Sequence, residues 1–400
     1  MRWSWLRAIG LLCLITAQSR GEDRCPLECL TRGLQLAAFQ EEEREAREPT
    51  DDIEDISEEG IYVNPRASSR NVWGPGSLSR DTTQSTFPKL PGLRGVRGLT
   101  GVIGNLLAAN PHAGATWYPD QAVSGQPARL GMTREFFQFT APVWSNGKDA
   151  LMFSSHVQAT TIRTSAVLPQ TMQPIPDRLW NIWIGGNYFH TCDNGWIAAA
   201  LFEGGSASDK PFSAARNDSA AGTGLLIIPN GDRDAWIVGL QASTNSQVFY
   251  NLPIPGGAYL YNPNEDFQAI LGFPYTAINY RVLPQIQLQF LYMFVTTVHA
   301  RAAYQPADDR QFYVGFDWAN ENYSIADRQE ANSRFYYYEK RAVAGWQWWW
   351  TNHWAVELAG GYAFERYFVE ANESNFLGQG NNRVNVAAGP FATVQLDYRF

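Results

Sequence analysis

VNVAAGPFATVQLDYRF, residues 384–400, alternates almost without a break between apolar and polar or small side chains. Val384, Val386, Ala388, Pro390, Ala392, Val394, Leu396, Tyr398 and Phe400 share one parity. Arg383, Asn385, Ala387, Gly389, Thr393, Gln395, Asp397 and Arg399 hold the other, with Phe391 the one bulky exception. A period of two is the signature of a β-strand, because successive Cβ atoms point to opposite faces. The strand is long and reaches the final residue, where a chain ordinarily frays, so it is expected to be a closing strand.

The same period recurs upstream. Leu151, Phe153, Ser155, Val157 and Ala159 alternate with Met152, Ser154, His156, Gln158 and Thr160, and Trp180, Ile182, Ile184, Gly186 and Tyr188 follow suit up to Asp193–Asn194–Gly195, a hairpin signal. Trp236, Val238, Leu240 and Ala242 mark another strand. Ile286 to Phe294 reads as running on through Val298, Ala300, Ala302 and Tyr304. Phe312 to Trp318 and Trp354 to Phe364 complete the set. These runs exceed the five or six residues usual in soluble sandwiches. They suit strands tilted across a bilayer, which need about nine to eleven residues to cross the hydrocarbon.

Composition agrees. Aromatic residues make up 14% of the chain, with 15 Trp and 18 Tyr, the residues that favour membrane–water interfaces. Mean hydropathy is −0.30, and past the N-terminus no apolar run is long enough for a spanning helix. The rival reading is an aromatic-lined β-sandwich that binds sugars. A net charge of −8 argues against nucleic acid as a partner.

Arg2 and Arg7 precede the short apolar run Ala8 to Ala17 and the small residues Ser19 and Gly21. This reads as a signal peptide over residues 1–21. Residues 22–112 lack strand alternation and carry an acidic tract from Glu41 to Glu59, so they are expected to be a low-order periplasmic segment and linker. Cys25 and Cys29 could form a local disulfide or stay as thiols. Residues 113–400 are then an all-β, up-and-down antiparallel barrel. Counting strands gives twelve to fourteen, with long and short connections alternating at both ends of the barrel and a middle, 243–284, that is harder to parse.

Apolar residues at Val394, Leu396, Tyr398 and the terminal Phe400 resemble the C-terminal assembly signal of bacterial outer-membrane β-barrels. The stretch IPGGAYLYNPNEDFQAILGFP, residues 254–274, resembles the central signature of an uncharacterised, porin-like family of such barrels. That resemblance implies an outer-membrane barrel and no assigned activity. It makes outer-membrane lipid and the barrel-assembly machinery the expected partners and leaves oligomeric state open. Pro263–Asn264 fits a tight turn, and Pro274 within a strand pattern reads as a bulge.

Gln287, Gln289, His299, Arg301, Asp317, Glu357, Glu365 and Asp397 each alternate with apolar neighbours and are expected to line the lumen. Lys340 falls on the expected lipid face, where a cation at the bilayer midplane costs about 2–4 kcal/mol. A bulge or a different register is expected there. The aromatic runs Tyr336–Tyr338 and Trp346–Trp350 read as contributions to the two interfacial girdles. Catalytic chemistry is not apparent. The five His residues are scattered, and Ser155 and His156, adjacent on a strand, point to opposite faces. No catalytic, metal or cofactor site is expected. The leading functional reading is a passive porin-like channel for small polar solutes. The alternatives are a structural or surface-adhesion barrel with a plugged lumen and, third, a lipid-acting enzyme.

Overall fold

A computed structural model describes residues 111–245, 252–294, 297–326, 328, 333–372 and 382–398. The signal peptide, the acidic tract, Cys25, Cys29 and Phe400 lie outside the described residues. The first strands are β1 (His112–Ala122), β2 (Arg129–Ser145), β3 (Asp149–Thr164), β4 (Arg178–Thr191) and β5 (Ile197–Ser208). A 3-10 turn, Ala215–Asn217, leads to β6 (Asp218–Asn230), β7 (Asp234–Ser243), β8 (Ile254–Tyr261) and β9 (Phe267–Phe273). Then come β10 (Tyr275–Leu283), β11 (Ile286–Met293), β12 (Thr297–Ala307) and β13 (Arg310–Tyr323). The last are β14 (Ser333–Trp349), β15 (Trp354–Asn372), β16 (Arg383–Val386) and β17 (Gly389–Tyr398).

From β1 to β16 each strand pairs antiparallel with its sequence neighbour, and β17 pairs with β15 and, from His112↔Asp397 to Trp117↔Ala392, with β1. The sheet therefore closes on itself, which excludes the two-sheet sandwich. Because β16 and β17 both pair with β15, they are one interrupted strand, and the barrel among the described residues has sixteen strands. Twelve to fourteen were expected, and two misread joins take the upper of these counts to sixteen. Pro274 sits alone between β9 and β10 as a hairpin connection, not as a bulge within one strand. The long run from Ile286 to Tyr304 is broken at 294–296 into β11 and β12. In both places the apolar pattern continues across the turn, which hides it.

Connections 146–148, 192–196, 231–233, 262–266, 284–285, 308–309 and 350–353 are short and lie at one end, with both ends of the described chain. At the other end 165–177, 209–217, 244–253, 324–332 and 373–382 are longer, while 123–128, Pro274 and 294–296 are short. This is the asymmetry of outer-membrane barrels, with inner turns short and outer loops long.

Exposure is inverted relative to a soluble protein. On β13, Phe312 and Val314 are 45% and 60% exposed, while Gln311, Tyr313 and Asp317 between and beyond them are 7%, 5% and 3% exposed. Leu240, Trp236, Phe202, Leu288 and Leu358 are exposed on the same outer face of other strands. An apolar surface of this extent, wrapped around a closed barrel with polar groups inside, is a lipid-facing surface. The chain is a transmembrane β-barrel.

Trp346, Trp348, Trp350 and Trp354 run along the inner end of that surface, and Trp354 packs on Tyr398 with centroids 4.7 Å apart. The outer girdle differs from expectation. Tyr336 and Tyr338 are on the outward parity but only 2% and 4% exposed, packed with Val369, Ala371 and Tyr367, while Tyr337 points inward.

The inner turns are pinned by polar clasps. Asp149 accepts hydrogen bonds from the Tyr188 hydroxyl (2.6 Å) and pairs with His190 Nδ1 (2.7 Å), and Lys148 meets Asp193 at 2.5 Å. The Tyr188 bond first, then His190, holds the Asp149 carboxyl down to about 2. A depressed carboxylate stabilises the fold at every pH above its unfolded value and loses that contribution as pH falls toward 2. Carboxyl NMR titration is expected to show Asp149 ionised at pH 3, with Tyr188→Phe moving its midpoint back toward the ordinary carboxylate range.

Candidate functional site

The inward faces of β12 to β15, β1, β2 and β3 carry a connected polar network, and two smaller polar groups, one on β12, β13 and β15 and one on β14 and β17, share the same inner face. At its centre the Glu339 carboxylate, 0% exposed, accepts from the Tyr118 and Tyr337 hydroxyls at 2.6 Å each. Arg341 Nε and Arg366 Nε stand 3.6 Å away and Arg134 Nη1 3.9 Å. Arg134 also meets Glu321 at 3.2 Å, and Glu321 accepts from Tyr323 (2.6 Å) and Gln158 (3.2 Å). Arg341 continues the chain to Asp317 at 3.1 Å, and Asp317 pairs with His299 Nδ1 at 2.7 Å. Arg301 lies over the Tyr313 ring at 4.3 Å, and the Tyr313 hydroxyl donates to Glu357 at 2.5 Å. Asp397 accepts from Gln395 at 2.6 Å and Gln347 at 3.1 Å.

Of the sequence-selected residues, the structure thus joins His299 to Asp317 directly and sets Arg301, Glu357 and Asp397 on the same inner face. Gln287 and Gln289 are 7% exposed on that face, Gln287 donating to Asn279 and Gln289 opposite Arg301. Glu365 departs from them. The register passes from Tyr338↔Tyr367 to Lys340↔Phe364, so Glu339 faces both Glu365 and Arg366. This is a β-bulge, and Glu365 takes φ +48 within it. The extra residue turns Glu365 outward, where it pairs with Lys340, and turns Arg366 inward, its guanidinium 4.6 Å above Tyr118. A cation on the lipid face therefore keeps a counter-ion beside it.

Sequence reading missed Arg134, Glu321, Glu339, Arg341 and Arg366. The signal for Glu339 and Arg341 was present, since they flank the outward Lys340. Arg366 was hidden by the bulge.

The inner wall is not polar throughout. Met152, Phe189, Ile197, Ala199, Ile227, Ala235, Leu260, Ile270 and Ala277 form a buried apolar tier on the inward face of β3 to β10, toward the short-turn end. The other half mixes its charges with a second buried apolar cluster that includes Leu130, Met132, Phe335, Val343, Phe368 and Phe391, so the uniformly polar lumen expected from alternation is found on neither half.

The outer mouth is crossed by the chain itself. β5 and β13 are eight strands apart in a ring of sixteen, yet Ser324 N–H donates to Ala207 O at 2.8 Å and Ala326 N–H to Asp209 at 2.8 Å. Arg328 ties three loops together. It pairs with Glu370 at 3.0 Å, donates to Pro174 O at 3.3 Å, and its carbonyl accepts from Arg216 at 3.5 Å. Asn382 links Gln170 and Glu370 in the same way.

Ser155 and His156 lie on opposite faces, Ser155 paired with Ile184 and His156 with Trp183. Among the described residues no three His, Cys, Asp or Glu side chains converge on a metal position.

No protein-family model matches the chain, and no curated protein matches it. An outer membrane channel from Pseudomonas putida F1 aligns at 10% identity over 74% of this chain and 96% of that one, with a TM-score of 0.32. Pseudomonas aeruginosa OccK7 aligns at 7% identity over 72% and 97%, with a TM-score of 0.30. The β domain of the Bordetella autotransporter BrkA aligns at 10% identity over 73% and 100%, with a TM-score of 0.27. At these scores the likenesses bear on none of the chemistry above.

Proposed function

We propose that this outer-membrane barrel is a narrow, porin-like passage for small polar solutes, described here with its outer mouth latched. The observation that carries the reading is the buried charge network from His299 to Gln158. Filling a barrel with ion pairs has no advantage in stability, because well-packed apolar residues of similar volume serve as well or better. Guanidinium and carboxylate groups on the inner wall are the groups a hydrated solute path uses to set preference. The bonds between β5 and β13 and the Arg328 clasp account for a mouth far narrower than sixteen strands allow, since rings of sixteen to eighteen usually leave an aqueous channel.

A second reading, a permanently plugged structural or adhesive barrel, is favoured by the same cross-mouth bonds. Planar-bilayer recording separates the two. The full-length protein is expected to open rarely, and Arg328→Ala to raise the open fraction about tenfold or more, since each 1.4 kcal/mol taken from the latch is a factor of ten. Silence from both proteins would leave the plugged barrel as the function.

A further inference from the structure

The outer ends of three adjacent strands carry outward-facing arginines that the passage does not use. Arg129 opens β2, Arg163 is next to last on β3, and Arg178 opens β4. Register places Arg163 opposite Gly131 and Arg178 opposite Thr161, all on the parity that faces lipid lower down. Their heads are gathered by local geometry. Gly131 has no side chain, and a Cβ there would fall 2.0 Å from Asp120 Oδ1 and 2.9 Å from Arg163 Nη2, so both side chains lie across it. Arg129 Nη2 donates to the Asp120 carbonyl at 2.7 Å, beside them. Arg178 stands over Trp180 at 5.6 Å, and across β1 the guanidinium of Arg383 on β16 stands over Tyr367 at 3.6 Å.

Aromatic rings with cations just above them mark the level where hydrocarbon gives way to headgroups. Trp117, 51% exposed on β1, belongs to the same belt. Asp120, 3.9 Å from Arg163, is the one carboxylate in ion-pair contact with these arginines among the described residues. The side chains of Arg163 and Asp120 are 53% and 57% exposed, so the pair leaves the guanidinium open to further partners. None of the four residues at the outer end of any strand from β6 to β12 is Lys or Arg.

We propose that the outward rim formed by Arg129, Arg163, Arg178 and Arg383 binds the phosphate groups of lipid in the outer leaflet. The planar fork of Arg takes phosphate in two parallel hydrogen bonds, and the single 3.9 Å contact with Asp120 leaves Arg163 donors for one. A lipid phosphate is the source that fits, because these side chains sit at headgroup level and face away from the lumen. The proposal rests on the outer-membrane reading of the barrel.

The test uses full-length protein in zwitterionic detergent. Bis-phosphorylated lipid A, the same lipid with its phosphates removed, and inorganic phosphate are each titrated against wild type and the double variant Arg163→Gln/Arg178→Gln. Wild type is expected to prefer the phosphorylated lipid, and the double variant to bind it about thirty-fold more weakly at low salt. Equal affinity for the dephosphorylated lipid, or an unchanged affinity in the variant, overturns the rim. Inorganic phosphate binding as tightly as the lipid overturns the lipid assignment. Heat-modifiable migration of the same samples separates the two failures: a heat-modifiable barrel without phosphate preference refutes the rim alone, and protein that never shows it refutes the membrane barrel and the rim with it.

Discussion

Replacing Glu339 by Ala is expected to cost about 3–5 kcal/mol of barrel stability, the penalty of leaving buried charges without their partner. Arg341, Arg366 and Arg134 all converge on this carboxylate, which is 0% exposed. Two tyrosine hydroxyls would lose their acceptor in the same step. The measurement is the urea midpoint of the folded, heat-modifiable form in detergent. Glu339→Gln keeps the volume and an acceptor oxygen for one tyrosine, so its midpoint is expected to fall between those of wild type and the Ala variant. A Glu339→Ala midpoint equal to wild type would mean the network carries no stability, and the interior is then solvated rather than packed.

Val314→Arg is expected to destabilise the protein in phospholipid vesicles by about 2–4 kcal/mol, the cost of a cation on the lipid face near the bilayer midplane. Val314 is 60% exposed, between Phe312 and Phe316 on the outward parity of β13. On a water-facing strand the same change would usually lie within about 0.5 kcal/mol of neutral. The size of the effect therefore tests directly whether this surface meets lipid. Asn230→Arg, at the 231–233 turn, is the control and should change little. Lys340 is tolerated on the lipid side because the bulge delivers Glu365 beside it. Glu365→Ala should consequently show part of the Val314→Arg penalty.

Strand identity was legible wherever the two faces differ in polarity. On β13 and β15 the outward apolar residues alternate mostly with Gln, Asp, Glu, Gly or Ala, and both strands contain the stretches that the alternation marked, while the strand read over 384–400 appears as β16 and β17 with a break at 387–388. It was poorly legible on β5 and β6, where Ile197–Leu201 and Leu225–Ile228 are apolar on both faces. Their inward side chains join the buried tier on the inner wall, so no contrast with period two survives. Parity also sufficed for His299, Arg301, Asp317, Glu357 and Asp397. It failed at Glu365, because a single extra residue exchanges the faces of everything beyond it and leaves no mark on composition.

What the amino-acid sequence determined by itself was local: which residues extend, which side is greasy on the strands whose two faces differ, and which end of the barrel carries the long loops. Those follow from side-chain period and turn chemistry, which act over a few residues. Only the tertiary structure decided that Arg134 on β2 meets Glu321 on β13, that Tyr118 on β1 meets Glu339 on β14, and that β5 and β13 join across the mouth. The first two pairs lie 11 and 13 strands apart along the chain, and closure of the ring of sixteen brings them to five and three strands apart, within reach across the interior. Closure depends on strand number and register summed around the whole barrel, and no single stretch of sequence encodes that sum.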